Sequence, residues 1–161
     1  MVTDGGLALV PVLPGNGFPL SRAISRSDPV LEYDNMNTSQ VHIPTLRVRA
    51  LPSSTNAYGQ VQAGWLMGQI DMAGSMVAER LSKGPVTTVA VNAFQFAAPI
   101  QVGDTVSLYV DTLRVGQKSL TFKICVLAER LQGEEVMVTE VIVTFVAIDS
   151  TGKSRLLSKT D

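Results

Sequence analysis

Asp71 is the residue of this sequence best suited to acid–base chemistry. It lies inside an apolar run from Gly64 to Lys83, and aspartate is a mediocre helix former. On a helix, the side chains three and four positions from it would include no lysine or arginine to pair with its charge. Gly68 and Gly74 each cost about 1 kcal/mol relative to alanine inside a helix, which indicates a close approach to the backbone. The alternative is an ordinary solvated carboxylate.

The start of the same predicted helix is a second candidate. Between Val61 and Gly64 there is no Ser, Thr, Asp or Asn to cap the first turn, so the leading N–H groups can face an outside oxygen. Such groups polarise a carbonyl or stabilise an oxyanion, although Gly64 could also be a simple tolerated cap. Asp71 lies roughly 10 Å further along the axis. The two groups could therefore act together only if a symmetric dimer apposes two such helices.

Composition limits the other chemistries. The chain has 161 residues, 45% of them hydrophobic, and a formal net charge of −1, which predicts one folded domain and no general attraction to nucleic acid. A single cysteine, Cys125, and a single histidine, His42, exclude a disulfide scaffold and the usual zinc motifs. We therefore expect a cytoplasmic protein without a metal or cofactor. Cys125 is most simply a packing residue, and His42 a surface residue.

The elements that must position these residues follow from hydrophobic periodicity. Leu46 to Ala50 alternates as a half-buried strand, and the helix places one apolar face at Leu66, Ile70, Ala73, Val77 and Leu81. Four β-rich runs follow, joined by connectors suited to antiparallel neighbours: Val86 to Phe96, Thr105 to Val115, Ser119 to Leu131 and Glu135 to Ile148. The order predicts an α+β fold in which the four runs after the helix form a meander.

Residues 1–44 have a different character. They hold five of the eight prolines and no sustained period, so we interpret them as an extended or mobile N-terminal arm, with the domain proper at 45–161. The arm lacks the basic start and unbroken apolar run of a signal peptide. No segment approaches the roughly 20 apolar residues of a membrane span.

Self-association is also expected. The last strand alternates Val141 and Val143 with Ile142, so both faces of the sheet carry apolar area while one helix covers only one face. Pairing of sheet edges or packing of sheet faces would cover the rest. The sequence therefore predicts a homo-oligomer, at least a dimer, with a site at its interface.

From about Thr45 to Leu157, the chain resembles the hot-dog-fold acyl-CoA thioesterases of the YciA type. The resemblance depends on five segments: 52–59 (PSSTNAYG), 64–71 (GWLMGQID), 88–91 (TVAV), 99–104 (PIQVGD) and 146–149 (VAID) followed by Gly152 and Lys153. It implies a long helix wrapped by an antiparallel sheet of five or more strands. It also implies hydrolysis of acyl-CoA to free acid and CoA at a dimer interface, with a role in fatty acid metabolism.

The resemblance also assigns roles to residues. Asp71 would be the general base or nucleophile, the Gly64 region would supply the polarising N–H, and Gln60 would face the reacting group. The remaining candidates are substrate contacts, which lie in the matched motifs, near the acyl pocket or at the nucleotide end: Asn56, Trp65, Met67, Phe96, Arg114, Lys118 and Ser119. Phe94 is a further candidate near the acyl pocket. The hairpin residues Arg114, Lys118 and Ser119 are expected to attract phosphate through basic side chains and turn N–H groups. The alternative is that they form an ordinary solvated hairpin tip.

Three positions depart from the family pattern. Gln60 stands where relatives carry Asp or Asn, Ala63 replaces the first glycine of a pair, and Ala98 stands where relatives often carry Arg or Lys. These departures keep open a non-catalytic acyl-CoA-binding or sensing protein. A hot-dog dehydratase is disfavoured, because its catalytic histidine would lie near the helix and His42 does not.

Overall fold

The computed structural model describes residues 42–92 and 94–157. The expected N-terminal arm lies outside the described residues, apart from its last three positions. No helix in this described part of the chain combines the length and apolar character needed to cross a bilayer. The elements in chain order are β1 (Leu46–Arg49), a short 3-10 turn (Pro52–Ser54), α1 (Ala63–Ser82), β2 (Val86–Asn92), β3 (Thr105–Val115), β4 (Ser119–Glu129) and β5 (Glu135–Ala147).

The strands form one five-stranded antiparallel sheet in the order β1-β3-β4-β5-β2. The predicted meander is correct for β3, β4 and β5 but wrong for β2, which pairs with β5 instead of β3. The segment between β2 and β3 is long enough to cross the end of the sheet. Beside β5 it is held by the Ala97 N–H, which donates to the Val138 carbonyl at 2.8 Å, and by the Thr139 hydroxyl, which donates to the Gln95 carbonyl at 2.7 Å. Strand β2 is therefore an edge.

Helix α1 packs on one face of this sheet. Leu66, Ile70 and Ala73 are fully buried there, as the periodicity predicts. Gly74 is required for close packing, since a Cβ at this position would lie 2.7 Å from two ring carbons of Phe145. The prediction for Leu81 is wrong, because its side chain is 45% exposed. A helix of 3.6 residues per turn drifts relative to the sheet, so that the neighbouring positions 78 and 82 are buried instead.

The other face of the sheet is lined largely by polar pairs. In β4 the buried residues alternate with half-buried ones. The Thr121 and Thr144 hydroxyls are 3.2 Å apart, and Lys123 Nζ lies 3.7 Å from Glu140 Oε2. Ile142 is one of the apolar residues on this face, and it is 37% exposed. Among the described strands β2 is an edge, and edges of this kind are available for pairing with a second copy.

Candidate functional site

The loop before α1 is held in shape by one side chain. Asn56 Oδ1 accepts hydrogen bonds from the backbone N–H groups of Tyr58 (2.9 Å) and Gln60 (3.0 Å). The Asn56 N–H in turn donates to the Gln60 carbonyl at 2.8 Å. Because short polar side chains stabilise turns in this way, Asn56 fixes the position of Gln60. The Gln60 side chain itself is exposed.

Helix α1 begins directly after this loop, and its first turn is uncapped, as the sequence predicts. Gln62 is the N-cap residue and makes no side-chain cap hydrogen bond. Its side-chain amide instead donates to the Thr55 carbonyl at 2.7 Å, while its N–H donates to the Ser54 carbonyl at 2.9 Å. The first N–H groups of a helix have no intrahelical partner. The exposed N-terminal turn at Gly64 is therefore available to an outside acceptor.

A groove of about 720 Å³ lies beside the N-terminal end of α1. It brings together three of the sequence-predicted residues, Asn56, Gln60 and Phe96. One wall is the loop before the helix, up to Ala63, and the other is formed by residues 96–102. The lining stops one residue short of Gly64. This groove, called the N-terminal groove below, has the size of a small-molecule site.

The second wall is anchored by a buried ion pair that the sequence reasoning missed. Arg130 donates to Asp104 Oδ2 through one Nη atom and to the Pro99 carbonyl at 3.0 Å through the other. The Gln101 N–H also donates to Asp104 Oδ2, at 2.8 Å. The side chains of Arg130 and Asp104 are only 12% and 2% exposed. Asp104 lies in a matched motif, but nothing in the sequence identifies Arg130 as its partner.

Asp71 lies on the exposed face of α1, outside the groove lining. Its Oδ1 accepts a hydrogen bond from the hydroxyl of Thr88 on the edge strand β2. Thr88 lies in segment 88–91, one of the segments on which the family resemblance depends, but its hydrogen bond to Asp71 was not predicted. The bond fixes one carboxylate oxygen, and no residue in 42–92 or 94–157 hydrogen-bonds to the other.

Other aspartates in the described residues have different surroundings. Asp104 is paired with Arg130, and Asp111 Oδ1 lies 3.8 Å from His42 Nε2. Asp149 is half-buried, and its pKa is lowered by hydrogen bonds from the Thr151 side chain and from two backbone N–H groups. Asp71 alone among these combines a place on the helix with a neutral hydroxyl partner.

The apolar candidates lie near the helix start. Trp65 and Met67 are half-buried, and Trp65 packs against the core. Phe94 also packs against the core. Its ring meets that of Phe96 edge to face, with centroids 5.0 Å apart. Phe96 is thereby held at the groove.

The hairpin candidates Arg114, Lys118 and Ser119 are not brought to the groove within one chain. They lie at the turn between β3 and β4, where the Gly116 N–H donates to the Ser119 carbonyl at 2.8 Å. The Lys118 carbonyl accepts from the N–H of Ala147, the last residue of β5. This turn therefore lies at the end of the sheet near the C-terminus of α1. A 20-residue helix is about 30 Å long.

His42 and Cys125 share a smaller cavity of about 350 Å³ on the polar face of the sheet. The His42 ring lies against Tyr109, with centroids 4.6 Å apart, and its side chain is 64% exposed. Burial, with a smaller contribution from Glu140, raises the pKa of the Cys125 thiol. Because the reactive form of cysteine is the thiolate, this arrangement opposes Cys-His nucleophilic chemistry.

A single long helix on a curled five-stranded antiparallel sheet defines the hot-dog class of protein. Residues 58–135 match the thioesterase superfamily model. An uncharacterized acyl-CoA thioester hydrolase from Haemophilus influenzae is 42% identical over 118 residues, which are 71% of this chain and 77% of that protein. The acyl-CoA thioester hydrolase YciA from Salmonella typhimurium is 36% identical over 125 residues, 75% of this chain and 93% of that protein.

The solved structures agree with these sequence matches. A hexameric broad-specificity acyl-coenzyme A thioesterase superposes with a TM-score of 0.70 at 40% identity, covering 73% of this chain and 82% of that one. The chain therefore belongs to the YciA-type hot-dog acyl-CoA thioesterase family. The fold and the family expected from the sequence are both confirmed.

Proposed function

We propose that this protein hydrolyses acyl-CoA thioesters and that Asp71 is the catalytic carboxylate. The observation that carries the proposal is the setting of Asp71: an exposed carboxylate in the middle of α1, held through one oxygen by Thr88. The curated relatives named above are acyl-CoA thioester hydrolases, which supports the same reaction here.

Two copies of the chain are required for Asp71 to act with the helix start. Within one helix, Gly64 and Asp71 are separated by roughly 10 Å along the axis. Pairing of two β2 edges about a two-fold axis would set two α1 helices side by side in opposite directions. Gly64 of one copy would then face the partner's Asp71. The hexameric assembly of a solved relative supports such self-association.

Exposed apolar residues support the same arrangement. Met72 and Met76, on α1, are 49% and 42% exposed, and Val89, on β2, is 55% exposed. A second copy seated along β2 would remove part of this apolar surface from water, which is the main favourable contribution to association. The interface and the site would then form together.

The chemistry follows from these groups. Asp71 would take a proton from a water molecule as the water attacks the thioester carbonyl. The C–S bond then breaks, and the CoA sulfur leaves and takes up that proton. The Gly64 N–H would donate to the oxygen on which negative charge develops. In the alternative route Asp71 attacks the carbonyl directly and expels the CoA thiolate, and water then cleaves the resulting mixed anhydride. Gln60, fixed by Asn56, would orient the carbonyl or the water.

The second candidate function is acyl-CoA binding without turnover. The location of Gln60 and Ala98 in the N-terminal groove favours it, because both depart from the family pattern there. This candidate predicts affinity for acyl-CoA and no release of free CoA.

Release of free thiol from a panel of acyl-CoAs separates the two candidates. We expect turnover by the unmodified protein and a loss of about 10²–10⁴-fold in kcat for Asp71→Asn. Asp111→Asn, on the polar face of the sheet, is the matched control and should keep full activity. Binding without turnover, or full activity in Asp71→Asn, would refute the assignment. Single-turnover hydrolysis in ¹⁸O-water would label Asp71 only by the anhydride route.

A further inference from the structure

The N-terminal groove has an uncharged lining. None of the described residues that line it carries a charge. Apolar surface comes from Val61, Phe96 and Ile100, and a free side-chain amide comes from each wall, Gln60 and Gln101. Within the described residues, neither of these two amides has a side-chain hydrogen-bond partner.

One pair of opposite charges behind the second wall is already neutralised. Asp104 and Arg130 lie behind the second wall and pair with each other. A second Arg130 N–H donates to the Pro99 carbonyl. Ala98 adds no charge at the position where the family resemblance leads one to expect a basic residue. Within one copy, the described lining of the groove therefore offers no cation to a negatively charged group.

We propose that the N-terminal groove is the acyl subsite and that it selects acyl groups with an uncharged far end over acyl groups that end in a carboxylate. This inference rests on the proposed thioesterase function. A carboxylate moved from water into an uncharged groove loses hydration without gaining a charged partner. An alkyl end gains from burial against Val61, Phe96 and Ile100.

The position of the groove favours the acyl group over the nucleotide end of CoA. The groove adjoins Ala63, next to the N–H groups that would polarise the thioester carbonyl, so it receives groups close to that carbonyl. Phosphates require cations or several N–H donors. The described lining supplies no cation, and the free N–H groups beside it are assigned to the thioester carbonyl.

Butyryl-CoA and succinyl-CoA test the proposal, because their four-carbon acyl groups differ by a terminal methyl or carboxylate. We expect kcat/KM for butyryl-CoA to exceed that for succinyl-CoA by at least about 30-fold. Gln101→Arg supplies the missing cation and should raise kcat/KM for succinyl-CoA relative to that for butyryl-CoA by about tenfold. Gln132→Arg places the same charge in the turn between β4 and β5 and should change neither.

Two outcomes overturn the proposal. The first is a comparable kcat/KM for both substrates. The second is an equal effect of Gln101→Arg on both substrates, because such an effect would indicate that the groove holds the part common to all CoA esters. If Gln101→Arg does not fold, Val102→Arg serves the same purpose, since Val102 lines the groove and is 39% exposed. If no acyl-CoA is hydrolysed, the proposed function fails. The ratio of the dissociation constants of butyryl-CoA and succinyl-CoA then still decides the selectivity.

Discussion

The Thr88 hydroxyl donates a hydrogen bond to Asp71 Oδ1, so the edge strand of the sheet holds the carboxylate in the middle of the helix. Thr88 pairs in register with Phe145 of β5, and Phe145 packs against Gly74. The orientation of Asp71 therefore depends on the packing of the helix against the sheet. A pre-positioned carboxylate has less orientational freedom to lose when it takes a proton from water.

Thr88→Val removes this hydrogen bond with little change in volume. We expect kcat for acyl-CoA hydrolysis to fall about tenfold, equivalent to about 1.4 kcal/mol in the activation free energy, because Asp71 samples more orientations. Thr88→Ser should restore most of the rate. Steady-state thiol release measures all three proteins.

The control for this variant is Thr87→Val, at the exposed neighbouring position of β2, which should leave kcat unchanged. The outcome against a positioning role is a Thr88→Val protein with the kcat of the unmodified protein. A purely structural role for Thr88 would lower the unfolding midpoint, and Thr88→Ser would then restore stability and rate together.

Local periodicity was sufficient to predict most elements of this fold. The helix was expected at Gly64 to Lys83 and extends from Ala63 to Ser82, and the third strand has the predicted bounds. The chemistry of Asp71 and the uncapped helix start were also visible in the sequence, because both depend on neighbours within a few positions. Signals of this kind need no tertiary information.

Long-range pairings could not be predicted in the same way. The partner of β2 depends on how the segment after it crosses the sheet, and the hydrophobic pattern of β2 would fit β3 equally well. The contact of Thr88 with Asp71 and that of Arg130 with Asp104 join residues 17 and 26 positions apart. The separation of Lys118 from the groove likewise became evident only from the sheet topology. The N-terminal arm stays a prediction.

Arg130→Met should destabilise the fold strongly. It leaves the buried carboxylate of Asp104 without its charged partner, a change that typically costs about 3–5 kcal/mol. Arg47→Met is the matched control, since Arg47 and Glu129 form an ion pair with side chains 51% and 42% exposed, worth less than about 1 kcal/mol. Urea denaturation compares the free energies of unfolding. Equal losses in the two variants would contradict the proposed anchoring of the groove wall by Arg130.

Cys125 should react slowly with iodoacetamide in the folded protein. Burial raises the pKa of its thiol, so at pH 8 a smaller fraction is thiolate than in an unfolded chain. Because the folded pKa is the higher one, folding favours the protonated thiol. That contribution to stability is complete below the unfolded pKa and is lost as the pH rises through the folded one. Alkylation rates with and without denaturant, followed by mass spectrometry, measure the difference on this single cysteine. A folded protein that reacts as fast as the denatured one would contradict the assigned direction.

Two glycines in α1 offer a matched test of which helix face is used for catalysis. A Cβ at Gly74 would collide with Phe145, whereas a Cβ at Gly68 would meet nothing within 4 Å. Gly74→Ala should therefore cost about 1–3 kcal/mol of stability, measured by urea denaturation. Gly68→Ala should not destabilise the fold, because alanine is the better helix former by about 1 kcal/mol.

The expected effect of Gly68→Ala is instead on activity. Gly68 lies on the exposed face, between Gly64 and Asp71, where the proposed function brings a substrate and a second copy close to the helix backbone. We expect kcat/KM to fall at least about tenfold, because one methyl group hinders this approach and misplacement by 1 Å is costly in catalysis. A Gly68→Ala protein with unchanged kcat/KM would show that this face needs no close approach. The glycine would then have no role in the site, and the case for a site between two helices would lose one of its supports.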